Sequence, residues 1–254
     1  MGGPQDIGFR RPGCGLSQSA ARARRPRLIE ALILAQALGL LLMACSSTGI
    51  KSREELARRG IEFSGKSFFN HVRSGDTEIV RLFLTAGMSP DVRDQGFTPL
   101  LEAARRGYEE IASALIDAGA DVNSADPYGV TVLMFSLISG SIQTARQLIE
   151  KGTEVNSRDV DGRTALVEAL ASENDIPPEL IASLIERGAD VNVRVANGLT
   201  PLMIAASGSP RLVQMLVEAG ADVNARDDSG VSVLRMAIDS PENARILEDA
   251  GARL

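Results

Sequence analysis

The sequence predicts an all-α solenoid of about six helix-turn-helix repeats joined by β-turn or hairpin loops. The main observation is a phrase, G-x-[TS]-x-L, that recurs at spacings of 33, 33, 36 and 32 residues. Its opening glycines are Gly96, Gly129, Gly162, Gly198 and Gly230. A second set of glycines closes the units, at Gly119, Gly152, Gly188, Gly220 and Gly251. A fixed period of this length is typical of repeat arrays.

Each unit carries the local signals of two short helices. Thr98 can cap free backbone N–H groups, and Pro99 suits the first position of a helix. Gly107 can adopt the left-handed backbone that follows a helix end, and a second apolar helix then runs to Gly119. Isolated helices shorter than about 12–15 residues are marginal in water, because nucleation is costly. Stacking on neighbouring repeats must therefore stabilise them.

Recurring apolar columns support this stacking. One leucine ends each opening phrase, at Leu100, Leu133, Leu166, Leu202 and Leu234, and a small residue follows three positions later. The second helices carry another column, at Leu115, Leu148, Leu184, Leu216 and Leu247. The position after that column is aliphatic in four units and becomes Glu248 in the last. A charge there suits a terminal repeat, because its outer face meets water.

These units resemble ankyrin repeats over residues 63–254. The match rests on T-P-L at 98–100 and 200–202, on the A-A pair before Gly107, and on G-A-D-V-N at 119–123, 188–192 and 220–224. The family usually has a histidine after T-P-L, whereas this sequence has Leu101, Met134, Val167, Met203 and Arg235. We therefore expect the hydrogen bonds of that histidine to be absent or replaced.

The resemblance implies a protein-binding module and no enzyme activity. In a solenoid, corresponding residues line up, and the turn tips and first helices form an extended concave binding face. Exposed aromatic and arginine side chains are typical of interaction hot spots. We predict a partner-binding surface at Phe97, Arg105, Arg106, Tyr128, Val130, Ile138, Arg163, Leu199 and Val231. The residues that follow the opening glycines are expected to face solvent and to contribute nothing to stacking.

The charge distribution argues against a nucleic-acid partner. The chain has 254 residues, 27 of them basic and 33 acidic, for a net charge of −6. Residues 1–44 hold six arginines and two acidic residues, a net charge of +4, which leaves −10 for the remainder. An acidic domain disfavours polyanionic partners, so no nucleic acid is expected to bind.

The start of the chain has the features of a cleavable lipoprotein signal peptide. After the arginines, residues 31–44 are apolar apart from Gln36, and this stretch is shorter than the roughly 20 residues that span a bilayer. The sequence Leu42-Met43-Ala44-Cys45 resembles the lipobox of bacterial lipoproteins. We interpret residues 1–44 as the signal peptide and Cys45 as the lipidated N-terminus. A signal anchor, or a buried helix with a chance cysteine, remains an alternative.

The resemblance to lipoproteins also implies a location. A residue other than aspartate after the lipidated cysteine favours the outer membrane, and Ser46 fits that rule. We therefore expect a bacterial lipoprotein that is attached to the membrane through its N-terminal lipid and faces the periplasm.

Residues 45–62 are assigned to the lipid-anchor cysteine, a tether and a short helix. Residues 46–51 are expected to form the tether. Ser52 and Glu55 have the spacing of a capping box, which predicts a helix over Arg53–Arg59 that ends at Gly60. An N-terminal capping repeat follows, in which Phe68 occupies the leucine column.

One motif supports a competing function. Residues Gly60–Ser67 match G-x-x-x-x-G-K-[ST], the phosphate-binding loop, in which Lys66 would contact the terminal phosphates and Ser67 would hold magnesium. That loop normally follows a buried strand, whereas the preceding segment here is charged and has a helical pattern. Nucleotide binding is kept as an alternative, together with an ankyrin effector that lacks a lipid anchor.

The sequence supplies few other groups for catalysis. His71 is the single histidine, and the only cysteines are Cys14 and Cys45. Cys14 would leave with the signal peptide, and a disulfide between the two would require the leader to remain. We therefore predict no catalytic, metal-binding or cofactor-binding residue. His71 is interpreted as a partly exposed structural residue of the first repeat, with a pH-sensing role as the alternative.

Overall fold

A stack of helix pairs forms the described part of the protein. The computed structural model describes residues 47–253. The predictions for the signal peptide and for Cys45 lie outside the described residues. A compact unit covers Gly49–Leu254. Within residues 47–253 the regular structure is helical, with three isolated β-bridges in the loops and no strand, so the predicted all-α solenoid is confirmed.

The helices follow one another as six pairs, which we number repeats 1 to 6. A helical segment, α1, covers residues 47–58 and precedes them. The pairs are α2 (Gly65–Ser74) with α3 (Thr77–Thr85), α4 (Pro99–Arg106) with α5 (Glu109–Asp117), α6 (Val132–Ile138) with α7 (Ile142–Glu150), α8 (Ala165–Ala171) with α9 (Pro178–Glu186), α10 (Pro201–Ala205) with α11 (Pro210–Glu218), and α12 (Val233–Met236) with α13 (Pro241–Asp249).

The repeats stack as two layers of helices. The first helices contact one another in chain order from α2 to α12, and the second helices do the same from α3 to α13. All ten leucines of the two predicted columns are buried between these layers. Since each repeat buries its apolar face only against its neighbours, stability comes from the stack rather than from any single pair.

A hydroxyl side chain begins most of the first helices. Thr98 Oγ1 accepts a hydrogen bond from the Leu101 N–H at 3.2 Å, and Thr131 and Ser232 cap their helices in the same way. These hydroxyl residues are almost completely buried, so water cannot satisfy the free N–H groups in their place. At the other end of α4, Gly107 has a φ of 75°, the left-handed backbone that was expected there.

Asparagine side chains form hydrogen bonds between repeats, at positions other than those that hold histidine in the family. The positions that hold histidine in the family are buried and apolar at Leu101, Met134, Val167 and Met203. Asn123 Oδ1 instead accepts from the Glu154 N–H at 2.9 Å, and Asn156 Oδ1 accepts from the Asp190 N–H at 2.8 Å. Asn192 and Asn224 form the equivalent bonds in the later repeats. A ladder of polar contacts therefore runs along one edge of the stack.

The last repeat has the properties of a cap. Ile116 and Ile149 are buried in their column, Ile185 and Val217 are half-buried, and Glu248 is exposed. Asn243 is fully buried and donates to the carbonyls of Ala206 and Gly208 at 2.9 and 3.0 Å, which ties α13 to the preceding repeat.

The N-terminal end differs from its prediction. The expected tether is helical from residue 47 onward, and Ser52 lies inside α1 instead of capping it. Leu56 is buried in the core, while Arg53 donates to the Ala86 carbonyl at 3.0 Å. The compact unit thus includes α1 from Gly49 onward, together with the repeats. The capping-box spacing was misleading because a local pattern does not exclude a longer helix that docks on the core.

Candidate functional site

Two adjacent pockets open on the face formed by the first helices and the loop tips of repeats 3 to 5. We call this surface the first-helix face. Ala171, the last residue of α8, is exposed and lines both pockets. The equivalent positions in repeats 2 and 3 hold Arg105 and Ile138, which are larger side chains, whereas repeat 5 holds the small Ser207. The small side chain of Ala171 therefore leaves space that repeats 2 and 3 fill.

The first pocket has a volume of about 440 Å³ and is mainly apolar. Its wall includes Val167 and Ala171 from α8, Ile204 from α10, and Val195 and Leu199 from the loop between repeats 4 and 5. Apolar side chains from two helices and one loop converge here, so the pocket suits an aliphatic group. We call it the apolar pocket.

The loop that forms this wall departs from the pattern of the other tips. In three other tips an aspartate closes the loop: Asp126 Oδ1 accepts from the Tyr128 and Val130 N–H groups, both at 2.9 Å. Asp159 and Asp227 make the same pair of bonds in their own repeats. Val195 occupies this position between repeats 4 and 5 and cannot accept a hydrogen bond through its side chain.

The loop at Val195 folds differently as a result. A single turn of 3-10 helix, Ala196–Gly198, replaces the aspartate-closed tip, and Asn197 has a φ of 62°. Left-handed backbone is uncommon for residues other than glycine, although asparagine tolerates it better than most. An apolar side chain thus lies at the mouth of the apolar pocket, where the other tips use a carboxylate.

The second pocket has a volume of about 420 Å³ and is more polar. It is lined by Ile138, Glu168, Ala171, Ser172, Glu173 and Asn174. The last three belong to the loop after α8, which carries the three extra residues of this repeat. Asn174 Nδ2 donates to the Ile138 carbonyl at 2.9 Å, so the lengthened loop is held against repeat 3. We call this the acidic pocket.

Glu168 is the buried charge of this region. Its side chain is almost inaccessible, and Arg163 Nε lies 3.0 Å from its Oε1 atom. Burial raises the pKa of Glu168 above its usual value, Arg163 opposes that effect, and Asp159 adds to it. One arginine therefore compensates only part of the cost of burying this carboxylate.

Glu102 occupies the same position in repeat 2 with different neighbours. Arg106 Nε lies 2.6 Å from Oε1, Arg105 Nη2 lies 2.9 Å from Oε2, and Arg73 Nε lies 3.6 Å from Oε1. Burial alone would raise the pKa of Glu102, but hydrogen bonds from Arg106 and Arg105 outweigh it and lower the pKa. This carboxylate is fully compensated inside the protein.

The predicted partner-binding residues fall into two groups. Tyr128 and Ile138 are exposed, at 65% and 47% of their surface. Arg105 and Arg106 are also exposed, although both are engaged with Glu102, and Arg163 is half-buried beside Glu168. The apolar tip residues Phe97, Val130, Leu199 and Val231 are half-buried rather than solvent-facing.

The expectation that the tips contribute nothing to stacking is therefore wrong for some of them. Phe97 and Leu199 pack against the core, and the Phe97 ring lies 6.4 Å from the ring of Phe135 in the next repeat. Their apolar side chains join repeats as well as offering surface.

Sequence reasoning missed several residues of the face. Ala171, Val195, Ile204 and Glu168 line the pockets, and among residues 47–253 Val160 is the most exposed of the large apolar side chains, at 71%. One signal could have found the site: three residues before the opening glycine stand Arg93, Asp126, Asp159, Val195 and Asp227, and Val195 is the one apolar residue in this column.

The phosphate-loop match lacks its structural context. The segment that precedes it is the helix α1 rather than a buried strand. Ser64 Oγ accepts from the Ser67 N–H at 3.2 Å, so this part of the motif works as the N-cap of α2. His71 is half-buried, and its Nδ1 lies 2.7 Å from Asp76 Oδ2, as suits a structural residue. Among residues 47–253, no cluster of three or more His, Cys, Asp or Glu residues could hold a metal ion.

Membrane-spanning helices were searched for in the same range. None of the helices within residues 47–253 combines the length and apolar character needed to cross a bilayer.

Comparison with known families gives overlapping matches along most of the chain. A family model described as ankyrin repeats in three copies matches residues 19–126, 68–159 and 121–195. A model of a single ankyrin repeat matches residues 197–228.

Several known proteins are similar over part of this chain. An ankyrin repeat-containing protein of Treponema pallidum (strain Nichols) is 38% identical over 85 residues, which are 33% of this chain and 28% of that protein. Potassium channel KOR1 of Oryza sativa subsp. japonica is 39% identical over 74 residues, 29% of this chain and 9% of the channel. The chain thus spans less than a third of the length of these relatives.

Proposed function

The chain belongs to the ankyrin-repeat family, and from that premise we propose that it is a membrane-tethered lipoprotein that binds a partner protein through its first-helix face. Cys45 would carry the lipid, and the repeats would lie in the periplasm at the outer membrane. The proposal assigns no reaction, because the family works mainly as interaction modules. Similarity to a bacterial ankyrin-repeat protein is compatible with this setting.

One observation carries the binding proposal. Three features meet in one place: Val195 in the aspartate column, the small Ala171 at the end of α8, and the lengthened loop that holds Asn174. Residues from all three line two pockets on one face. Concave sites with apolar walls and a few polar groups are typical of ligand-binding surfaces.

Photo-crosslinking in cells tests the binding proposal. A photoreactive phenylalanine analogue at Tyr128, on the rim of the first-helix face, is expected to form an adduct with a defined protein. The same analogue at Glu186, which is exposed on α9 in the second layer, is the matched control. Adducts of equal yield at both positions, or no adduct at Tyr128, would show that this face does not bind a protein.

The membrane attachment has a separate test. Cys45→Ser is expected to abolish incorporation of radiolabelled fatty acid and to leave the protein unprocessed or in the soluble fraction. Cys14→Ser is the control, since it should leave both properties unchanged. If Cys45→Ser still fractionates with the membrane and takes up label, the anchor lies elsewhere. If neither the wild type nor the variant takes up label, an ankyrin effector without a lipid anchor is the better description.

A further inference from the structure

We propose that the apolar and acidic pockets together bind one extended partner segment, with an aliphatic side chain in the apolar pocket and a lysine or arginine side chain directed toward Glu168 and Glu173. This inference rests on the proposed function, because it names the chemistry of the segment that the same face would bind. The partner would therefore carry the pattern aliphatic-x-Lys/Arg.

The spacing follows from the position of Ala171. Both pockets include this residue in their walls, so they are immediate neighbours on the surface. In an extended peptide, side chains two residues apart point to the same side. Two such side chains can enter adjacent pockets while the residue between them points away from the protein.

The walls of the two pockets select different groups. Val167, Val195, Leu199 and Ile204 give the first a mainly aliphatic surface that gains from excluding water, and Asp161, Arg163 and Asn197 also line it. The second includes two carboxylates, Glu168 and Glu173, and its wall contains no lysine or arginine. A cationic side chain is therefore favoured in the second pocket, whereas Arg163 opposes a cation in the first.

Glu168 has fewer cationic neighbours than the equivalent glutamate of repeat 2, so a cation from the partner is favoured at its carboxylate. Arg163 contacts one of its carboxylate oxygens, whereas the equivalent Glu102 has three arginine neighbours within 3.6 Å. Charge-assisted hydrogen bonds to carboxylates are among the stronger polar contacts in proteins. A cation from the partner would supply for Glu168 what repeat 2 supplies for Glu102 from its own chain.

Peptide selection tests this chemistry. The whole chain, kept in a mild detergent and immobilised, would be screened with a displayed library of random nonapeptides, after depletion on the Ala171→Leu variant. Leucine at this position fills the space that the pockets share. We expect the enriched peptides to carry an aliphatic residue two positions from a lysine or arginine.

Fluorescence polarisation with an enriched peptide then separates the two pockets. Glu168→Gln is expected to weaken binding at least about tenfold, since a charged hydrogen bond is lost. The same substitution should have little effect on a peptide whose basic residue is replaced by glutamine. Ala171→Leu should remove binding of both peptides.

Two matched variants and one structural measurement control for folding. Ala182→Leu adds the same bulk to α9 of the same repeat, and Glu186→Gln removes an exposed carboxylate there. Both should bind like the wild type, and circular dichroism should show equal helix content in all variants. For an Ala171 variant that has lost its helix content, the smaller Ala171→Val is substituted and must still weaken binding.

Three results would overturn the inference: no enriched peptide, enriched peptides without the aliphatic-x-Lys/Arg pattern, or undiminished binding by Glu168→Gln. These outcomes leave the proposed function standing as long as the photoreactive group at Tyr128 still captures a protein. The loss of that adduct would instead remove the proposed function itself.

Discussion

Repeats 2 and 4 place the same residue type at the same buried position and surround it differently. Glu102 in repeat 2 is enclosed by arginines on α2 and α4, whereas Glu168 in repeat 4 has, among residues 47–253, only Arg163 from the adjoining tip as an ion-pair partner. The first arrangement lowers the pKa of its carboxyl, and the second leaves it raised. One repeat is internally complete, while the other has a charge deficit beside an open pocket.

The difference shows that one repeat can change its surface residues while the buried leucine columns stay the same. Leu100 and Leu166, two residues before each glutamate, are fully buried in the same way. The two repeats differ in the exposed residues near each glutamate, where Arg105 in repeat 2 corresponds to Ala171 in repeat 4. Replacing a long cationic side chain with a methyl group both opens space and removes a counter-charge.

The largest effect on stability is expected when the equivalent buried leucines of repeats 2 and 4 are truncated, which tests whether the two repeats pack in the same way. Leu100→Ala and Leu166→Ala should each lower the free energy of unfolding by about 2–5 kcal/mol, because each leaves a cavity between stacked helices. Urea denaturation followed by circular dichroism measures both. A loss at one site several-fold larger than at the other would mean that repeats 2 and 4 do not share one frame.

Neutralising Glu102 should lower the free energy of unfolding more than neutralising Glu168. Glu102→Gln is expected to destabilise the protein by about 1–3 kcal/mol, because it removes charged hydrogen bonds to Arg105 and Arg106. Glu168→Gln should cost less, or even stabilise, since it removes a buried charge with one partner. Urea midpoints at neutral pH compare the variants. Equal losses would contradict the proposed charge deficit of repeat 4.

Acid should act on the two carboxylates in opposite directions. The lowered pKa of Glu102 contributes stability above its ordinary value of 4.5, and this is lost as the pH falls through the folded value. The raised pKa of Glu168, which faces Arg163 and Asp159, favours folding below its ordinary value and loses that contribution as the pH rises.

Stability curves of the glutamine variants from neutral pH to about pH 3 check these signs. Relative to wild type, Glu102→Gln should lose less stability on acidification, and Glu168→Gln should lose more. Parallel curves for all three proteins would show that neither carboxylate is coupled to folding.

The smallest effect on stability is expected when the tip at Val195 is given the aspartate that closes three of the other tips. Val195→Asp should let the new carboxylate accept from the N–H groups of Asn197 and Leu199, as Asp159 accepts from Asp161 and Arg163 at 2.9 and 2.8 Å. We expect a stability change within about 0.5 kcal/mol, as for most surface substitutions. The polar wall should reduce the yield of crosslinking from Tyr128.

The reverse substitution, Asp227→Val, is the matched control for that experiment. It should remove the tip bonds to Ser229 and Val231, and since none of these residues lines the apolar pocket, it should leave the pocket in place. If Val195→Asp captures the partner as well as the wild type does, the apolar pocket is not part of the binding face.

The sequence by itself determined the recurring helix pairs of the protein and their buried leucine columns. Leucines such as Leu100 and Leu133 recur at a fixed period, and a fixed period in a stack means the same buried environment each time. Helix starts at Thr98 and stops at Gly107 were equally predictable, because capping depends on a few neighbouring residues. The polar ladder through Asn123 was not predicted, since its partners lie in the next repeat.

Only the tertiary structure decided where the face is open. Phe97 and Leu199 follow their opening glycines in the same way as Val130, yet the first two pack on the core, because burial at a tip depends on the loop and helix that lie across from it. The extent of α1 and the pockets around Ala171 likewise depend on contacts between segments distant in sequence. The local sequence pattern determines which structural elements recur. The pockets between repeats depend instead on which side chains from distant segments meet there.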